Sequence, residues 1–272
     1  MVLPAYAGAL ERNQKRETAL ITGASSGIGL DLARLMAADF DLIVTARRQT
    51  ELEAISSELQ EKHGNKVHAV SADLSRPEAP AQLLGEIERR GLPVDVLINN
   101  AGFGAYGRFA ESGLQPELEM VQVNISSLTS LTRLALPGML QRNRGRIMNV
   151  ASTAGFQPGP LMAVYYATKA YVIMFSEAIA NELKGTGVTV TCLCPGATAT
   201  QFASRAGMEQ APLFKLGAMR SVDVALAGYK GMMAGKTMVI PGLLNKTLAL
   251  SVRLSPRKLV TSLSRRFTEH SK

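Results

Sequence analysis

The stretch Thr22-Gly23-Ala24-Ser25-Ser26-Gly27-Ile28-Gly29 decides how the chain is read. An apolar run, Ala19-Leu20-Ile21, precedes it, and Leu30, Ala33, Leu35 and Met36 follow at helical spacing. The order is strand, glycine turn, helix. Glycine lets the chain turn tightly and lets the backbone lie against a ligand, because no Cβ intervenes. The helix N-terminus beyond the turn presents free N–H groups and a partial positive charge, which suits a pyrophosphate. The spacing is G-x-x-x-G-x-G rather than G-x-G-x-x-G, but the physical demand is the same. Taken alone, the stretch also reads as a plain structural turn, so its neighbours have to decide.

Outward from it, β-rich runs alternate with amphipathic stretches. The runs are Ala19–Thr22, Leu42–Thr45, 67–70, 94–98, Arg146–Val150, Val188–Leu193 and 237–240. Helical spacing covers 27–38, 50–62, 77–90, 116–141, 164–184 and 221–233, with Gly64 placed as a helix C-cap. Continuous apolar strands alternating with helices predict an α/β fold: a doubly wound, seven-stranded parallel sheet with helices on both faces. Ligands of such sheets sit outside the strand C-terminal ends, where the motifs below fall. Residues 1–17 read as an N-terminal extension, 18–242 as one domain and 243–272 as a C-terminal extension.

The chain has 272 residues and a net charge of +8. Seven of its basic residues (Lys246, Arg253, Arg257, Lys258, Arg265, Arg266 and Lys272) lie beyond residue 240, against one acid, Glu269. The basic character belongs to the tail, which argues against nucleic-acid binding by the main domain. Cys192 and Cys194 cannot make a disulfide framework and read as buried strand residues rather than a metal site. His63, His68 and His270 are scattered and read as solvated. The absence of a signal peptide or an 18-residue apolar stretch points to a cytoplasmic protein.

The second strand ends in Ala46-Arg47-Arg48, where a dinucleotide fold places an acid for the adenosine ribose hydroxyls. Arginine forks suit a 2′-phosphate instead, so the sequence favours NADP(H). The third strand runs into Asp73-Leu74, the fourth into Asn99-Asn100-Ala101-Gly102, and the fifth into Ser152. Tyr165 stands thirteen residues after Ser152, with Lys169 at i+4 on the same helical face. An ammonium beside a phenol favours the phenolate and lowers its pKa, fitting the tyrosine for acid–base work. Tyr166, at i−3 from Lys169, is a rival.

These motifs, in this order, resemble the short-chain dehydrogenase/reductase family from about Thr18 to about Ile240, and so imply a Rossmann-type fold. The resemblance rests on T-G-x-x-x-G-x-G, N-N-A-G at Asn99–Gly102, Ser152, Y-x-x-x-K at Tyr165–Lys169, and Pro195-Gly196. It selects Tyr165 over Tyr166 as the proton donor or acceptor. Ser152 would bind the substrate oxygen, Lys169 the nicotinamide ribose, and Asn124 would support a proton relay. Gly23, Ser25, Ser26, Gly27, Ile28 and Gly29 would cradle the pyrophosphate, and Arg47 and Arg48 the 2′-phosphate. Asp73, Leu74, Asn100, Ala101 and Gly102 match the adenosine side, and Pro195, Gly196, Thr198 and Thr200 the nicotinamide side. Pairing through the fourth and fifth helices, as a dimer or tetramer, is also implied.

The substrate side is apolar: Phe156, Leu161, Met162, Phe202, Met208, Leu213, Phe214 and Met219, within 154–164 and a lid at about 197–219, with Arg205, Glu209, Lys215 and Arg220 interspersed. That composition suits a hydrophobic small-molecule carbonyl or alcohol (a ketone, steroid-like or fatty-acyl group), or simply the buried face of lid helices. The expected activity is NADP(H)-dependent hydride transfer; a catalytically silent NADP-binding scaffold is the alternative. Beyond Pro241-Gly242, where the family's usual strand-end turn is missing, Ser255-Pro256 reads as N-cap and N1 of a last helix. Leu259, Val260, Leu263 and Phe267 form its apolar face and basic residues flank it. Such a helix packs on its own domain or a partner subunit, or lies on a membrane surface.

Overall fold

Strand residues alternate between two buried faces, and that alternation builds the core. In the computed structural model, which describes residues 16–208, 211, 212 and 217–269, Ala19, Ile21, Leu42 and Val44 point to one side of the sheet. They meet Leu32, Met36, Leu52, Leu59 and Met232 there. Leu20, Ile43, Leu97 and Ile147 point to the other side and meet Leu83, Ile87, Leu131 and Met139. Each fully buried side chain of this size contributes roughly 1.5–3 kcal/mol. Burial on both faces is why these strands read as unbroken apolar runs.

The strands are β1 (Thr18–Thr22), β2 (Asp41–Thr45), β3 (Val67–Ala69), β4 (Val96–Asn99), β5 (Gly145–Val150), β6 (Val188–Leu193) and, after two short ones, β9 (Met238–Val239). They form one seven-stranded parallel sheet in the order β3-β2-β1-β4-β5-β6-β9. This is the doubly wound, Rossmann-type arrangement. The order reverses between β1 and β4, which opens a crevice at their C-terminal ends. The short strands β7 (Thr198–Ala199) and β8 (Met219–Arg220), not foreseen in the sequence, pair in parallel and clasp the base of the expected lid. Lid residues Glu209, Leu213, Phe214 and Lys215, most of the expected N-terminal extension, and His270 and Lys272 lie outside the described residues.

The helices are α1 (Gly27–Met36), α2 (Gln49–His63), α3 (Ala79–Arg89), α4 (Leu114–Val121), α5 (Leu128–Gln141), α6 (Ala163–Glu182), α7 (Gln201–Ala206), α8 (Ser221–Met233), α9 (Leu243–Leu254) and α10 (Arg257–Thr268). Gly64 closes α2 in the left-handed region at φ +61°, the C-cap role that glycine fills without strain. The expected single helix over 116–141 is divided: a π-helical turn, Gln122–Ser127, separates α4 from α5. Such turns recur at functional sites, and Asn124 lies in this one.

The tail departs from expectation in two ways. The N-cap of α10 is Pro256, while Ser255 Oγ donates back to Ser251 O and so belongs to the preceding helix. The buried stripe of α10 is Val260, Ser264 and Thr268, leaving Leu259, Leu263 and Phe267 exposed. Thr268 Oγ1 lies 3.1 Å from Pro160 O, on the side of α10 that turns inward.

Candidate active site

Thr22, the last residue of β1, ties the two central strands together. Its Oγ1 donates to Ile98 O and accepts from the backbone N–H groups of Asn100 and Ala101, both at 3.0 Å. The Asn100 amide donates to Thr22 O at 2.9 Å and Gly23 O at 3.2 Å. Asn100 Nδ2 therefore holds the glycine turn in shape. Gly23 and Gly27 have φ of +66° and +55°, conformations that L side chains rarely adopt. A Cβ at Gly29 would overlap Gly23 O and Asn100 Nδ2, so this glycine is needed for close packing behind the turn. Ser26 is the N-cap of α1 but makes no side-chain cap bond, which leaves the helix N-terminus to the crevice.

A cavity of about 740 Å³ runs along the strand ends. Gly23, Ser25, Ser26, Gly27, Ile28, Arg47, Arg48, Asp73, Leu74, Asn100, Ala101, Gly102, Ser152, Tyr165, Lys169, Pro195, Gly196, Thr198 and Thr200 all line it. Gly29 and Asn124 stand behind its wall rather than in it. At one end, Arg48 Nη2 pairs with Glu51 at 2.7 Å, whereas Arg47, exposed, makes no ion pair among the described residues. Burial works to raise the nearby Asp73 carboxyl, but hydrogen bonds from Ser75 and the charges of Arg47 and Arg76 outweigh it and hold it low.

At the other end, Ser152 caps a short 3₁₀ turn; its Oγ accepts from Ala154 N at 3.1 Å and donates to Pro195 O at 3.4 Å. Tyr165 and Lys169 face it from the first turns of α6. Lys169 Nζ donates to Val150 O at 2.9 Å. Asn124 Nδ2 donates to Phe103 O at 2.9 Å and Thr168 Oγ1 at 3.0 Å, while its Oδ1 accepts from Phe103 N. A Cβ on Gly102 would sit 3.0 Å from Asn124 Oδ1 and 3.4 Å from Lys169 Nζ, so bare backbone separates these two groups.

The electrostatics reverse one expectation. Burial pushes the Tyr165 phenol above its ordinary value, the Ser152 hydroxyl pulls against that rise, and Tyr166 adds to it. Burial likewise lowers the Lys169 ammonium to about 8. The lysine does not set the tyrosine in this structure; desolvation of each group dominates.

Met162, Phe202, Arg205 and Met208 line the substrate side as expected. Phe156 and Met219 pack into the core instead, and Leu161 lies away from the cavity. Phe103, Glu119, Val123, Gln157 and Tyr166 also line the cavity. Of these, Glu119 and Val123 share a helical i, i+4 spacing, the one signal that could have placed them together. Gly159 lies flat against the Tyr166 ring, with no room for a Cβ. His63 and His68 are half-buried away from the cavity rather than solvated. Cys192 and Cys194 are buried free thiols on β6 and the following residue, with sulfurs 3.6 Å apart. No metal-ligating cluster occurs among the described residues.

Residues 17–211 match the family model for short chain dehydrogenases. The chain belongs to that family. It is accordingly an oxidoreductase that uses a nicotinamide dinucleotide on CH–OH and keto groups. The chain is 33% identical over 245 residues to "Ketoacyl reductase HetN" from Nostoc, covering 88% of this chain and 79% of that one. It is 40% identical over 195 residues to a "Putative ketoacyl reductase" from Streptomyces coelicolor, covering 70% and 74%. Among solved structures it resembles a short-chain dehydrogenase from Sphingobium yanoikuyae in complex with NADPH: 32% identity, 88% and 93% coverage, TM-score 0.79. A family member from Burkholderia phymatum in complex with NAD shows 26% identity, 95% and 98% coverage, and a TM-score of 0.78.

Proposed function

We propose that the protein is an NADP(H)-dependent reductase of hydrophobic ketones, with 3-ketoacyl thioesters as the leading substrate class. Arg47 carries the cofactor reading. It lines the adenosine end of the cavity with no ion-pair partner among the described residues, at the position where an acid would select NAD(H). The glycine turn and the uncapped α1 N-terminus fit the pyrophosphate of that dinucleotide.

When bound, the nicotinamide supplies or accepts the hydride. Ser152 holds the substrate oxygen and stabilises charge developing there. Tyr165 gives that oxygen its proton during reduction. Its raised pKa keeps it a phenol at neutral pH, ready to donate. Lys169, half-discharged near pH 8, accepts and passes a proton at Nζ beside the Tyr165 ring. Asn124 keeps the Phe103 strap and α6 in register around these groups.

Met162, Phe202 and Met208 favour an apolar substrate, and the ketoacyl-reductase relatives support an acyl chain. The apolar surface on α4, α5 and α6 (Leu118, Leu134, Tyr171 and Met174) suits pairing of protomers in a cytoplasmic homo-oligomer. NADPH and NADH oxidation, measured side by side against 3-ketoacyl thioesters, 3-keto steroids and aromatic ketones, tests the reading. A preference for NADH would overturn the cofactor assignment, and inactivity on every thioester would overturn the substrate class.

A further inference from the structure

We propose that α9 and α10 form a docking face for an anionic lipid bilayer surface. On α9 the inward positions are Asn245, Ala249 and Val252, and the exposed ones include five leucines, Leu243, Leu244, Leu248, Leu250 and Leu254, beside Lys246, Thr247, Ser251 and Arg253. The exposure of the leucines runs from 56% at Leu248 to 85% at Leu254, the reverse of the usual surface helix, whose apolar stripe faces the core. On α10, Leu259, Leu263 and Phe267 repeat at i, i+4 and i+8 as a second exposed apolar stripe.

The charge around these stripes selects the occupant. Lys246, Arg253, Arg257, Lys258, Arg265 and Arg266 are all exposed on the same two helices, and Glu269 is the one acid, paired to Arg265. Apolar residues flanked by basic ones match a headgroup layer of opposite sign over an acyl boundary. A second copy of the same face would bring basic residues against basic residues, which repulsion opposes. Each helix has 12 residues, too short to cross a bilayer, so the helices lie on it. The buried side of the pair rests on the enzyme: Asn245 packs against Gly196, Thr268 bonds Pro160 O, and Ser264 lies beside the Tyr166 phenol. Docking therefore holds the Tyr166 end of the cavity near the lipid.

Flotation of the full-length protein with vesicles of phosphatidylcholine plus phosphatidylglycerol, against phosphatidylcholine alone, tests the proposal. The expected result is binding to the anionic vesicles only, lost in 1 M salt, where screening falls to about 3 Å. The double variants Leu244→Ser/Leu248→Ser and Arg257→Glu/Lys258→Glu should each weaken binding about tenfold or more with unchanged thermal melting. These side chains are exposed, so folding is not at stake. No flotation, or equal flotation with neutral vesicles, overturns the proposal. So does a drop in solution mass of Leu244→Ser/Leu248→Ser by sedimentation equilibrium, which would make the face a contact between copies.

Discussion

Lys169 Nζ lies 5.8 Å from the centre of the Tyr165 ring and is bonded to the Val150 carbonyl, not to the phenol. The two groups share one desolvated wall, and burial moves their pKa values apart, the phenol up and the ammonium down. A raised phenol and a lowered ammonium are both easier to neutralise than to charge, which suits a site that shuttles one proton.

Removing the phenol should remove the proton donor and little else. Tyr165→Phe is expected to lower kcat by about 10²–10⁴-fold while NADPH binding, read by fluorescence titration, stays within twofold. Tyr166→Phe should chiefly raise KM, since Tyr166 lines the substrate side and rests on Gly159. The opposite pattern would exchange the two assignments.

Lys169 also makes a stability prediction. Its folded pKa of about 8 lies below its unfolded value of 10.5. The unfolded chain therefore holds a proton that the folded state releases, and stability rises with pH between those values. Below pH 8 the penalty, roughly 3 kcal/mol for a shift of this size, is fully present. In cofactor-free protein, the melting temperature of Lys169→Met relative to the parent should be highest at pH 7 and fall steadily toward pH 9.5. The lost Val150 bond is a pH-independent offset. A constant gap across that range would show that burial does not perturb the lysine.

Arg47 and Arg48 read alike in sequence but not in the structure, because among the described residues Arg48 pairs with a carboxylate, Glu51, and Arg47 does not. Arg47→Ala should raise KM for NADPH by about 10–100-fold, the loss of one charge-assisted bond, and leave NADH unaffected. Arg48→Ala should do less. Equal effects on both cofactors would assign Arg47 to general electrostatics.

These contrasts mark what sequence could convey. The glycine turn and the Tyr165–Lys169 pair are legible because their geometry is set by residues a few positions apart. The π-helical turn at Asn124 is not, because the bonds that hold its side chain reach residues 21 and 44 positions away. The raised pKa of Tyr165 is not legible either, because an adjacent charge is visible in sequence and burial is not. The inward face of α10 is not legible in sequence, because apolar spacing does not reveal which stripe meets Pro160. The seven runs and their strand positions are legible to within two residues because both faces of the sheet are buried, so most strand residues are apolar.

The glycine turn itself gives the last prediction. At Gly29 a Cβ would overlap Gly23 O and Asn100 Nδ2. Neither atom is free to retreat, because Asn100 Nδ2 bonds both Thr22 O and Gly23 O. Gly29→Ala should cost about 1–3 kcal/mol in thermal or urea unfolding and, by shifting the Gly23 peptide, weaken NADPH binding at least tenfold. Gly64→Ala is the matched control. Nothing lies within 4 Å of its added Cβ, and the cost comes only from φ +61°. It should destabilise by about 1 kcal/mol and leave NADPH binding unchanged. If both variants lose stability but neither loses NADPH affinity, the turn serves the fold alone.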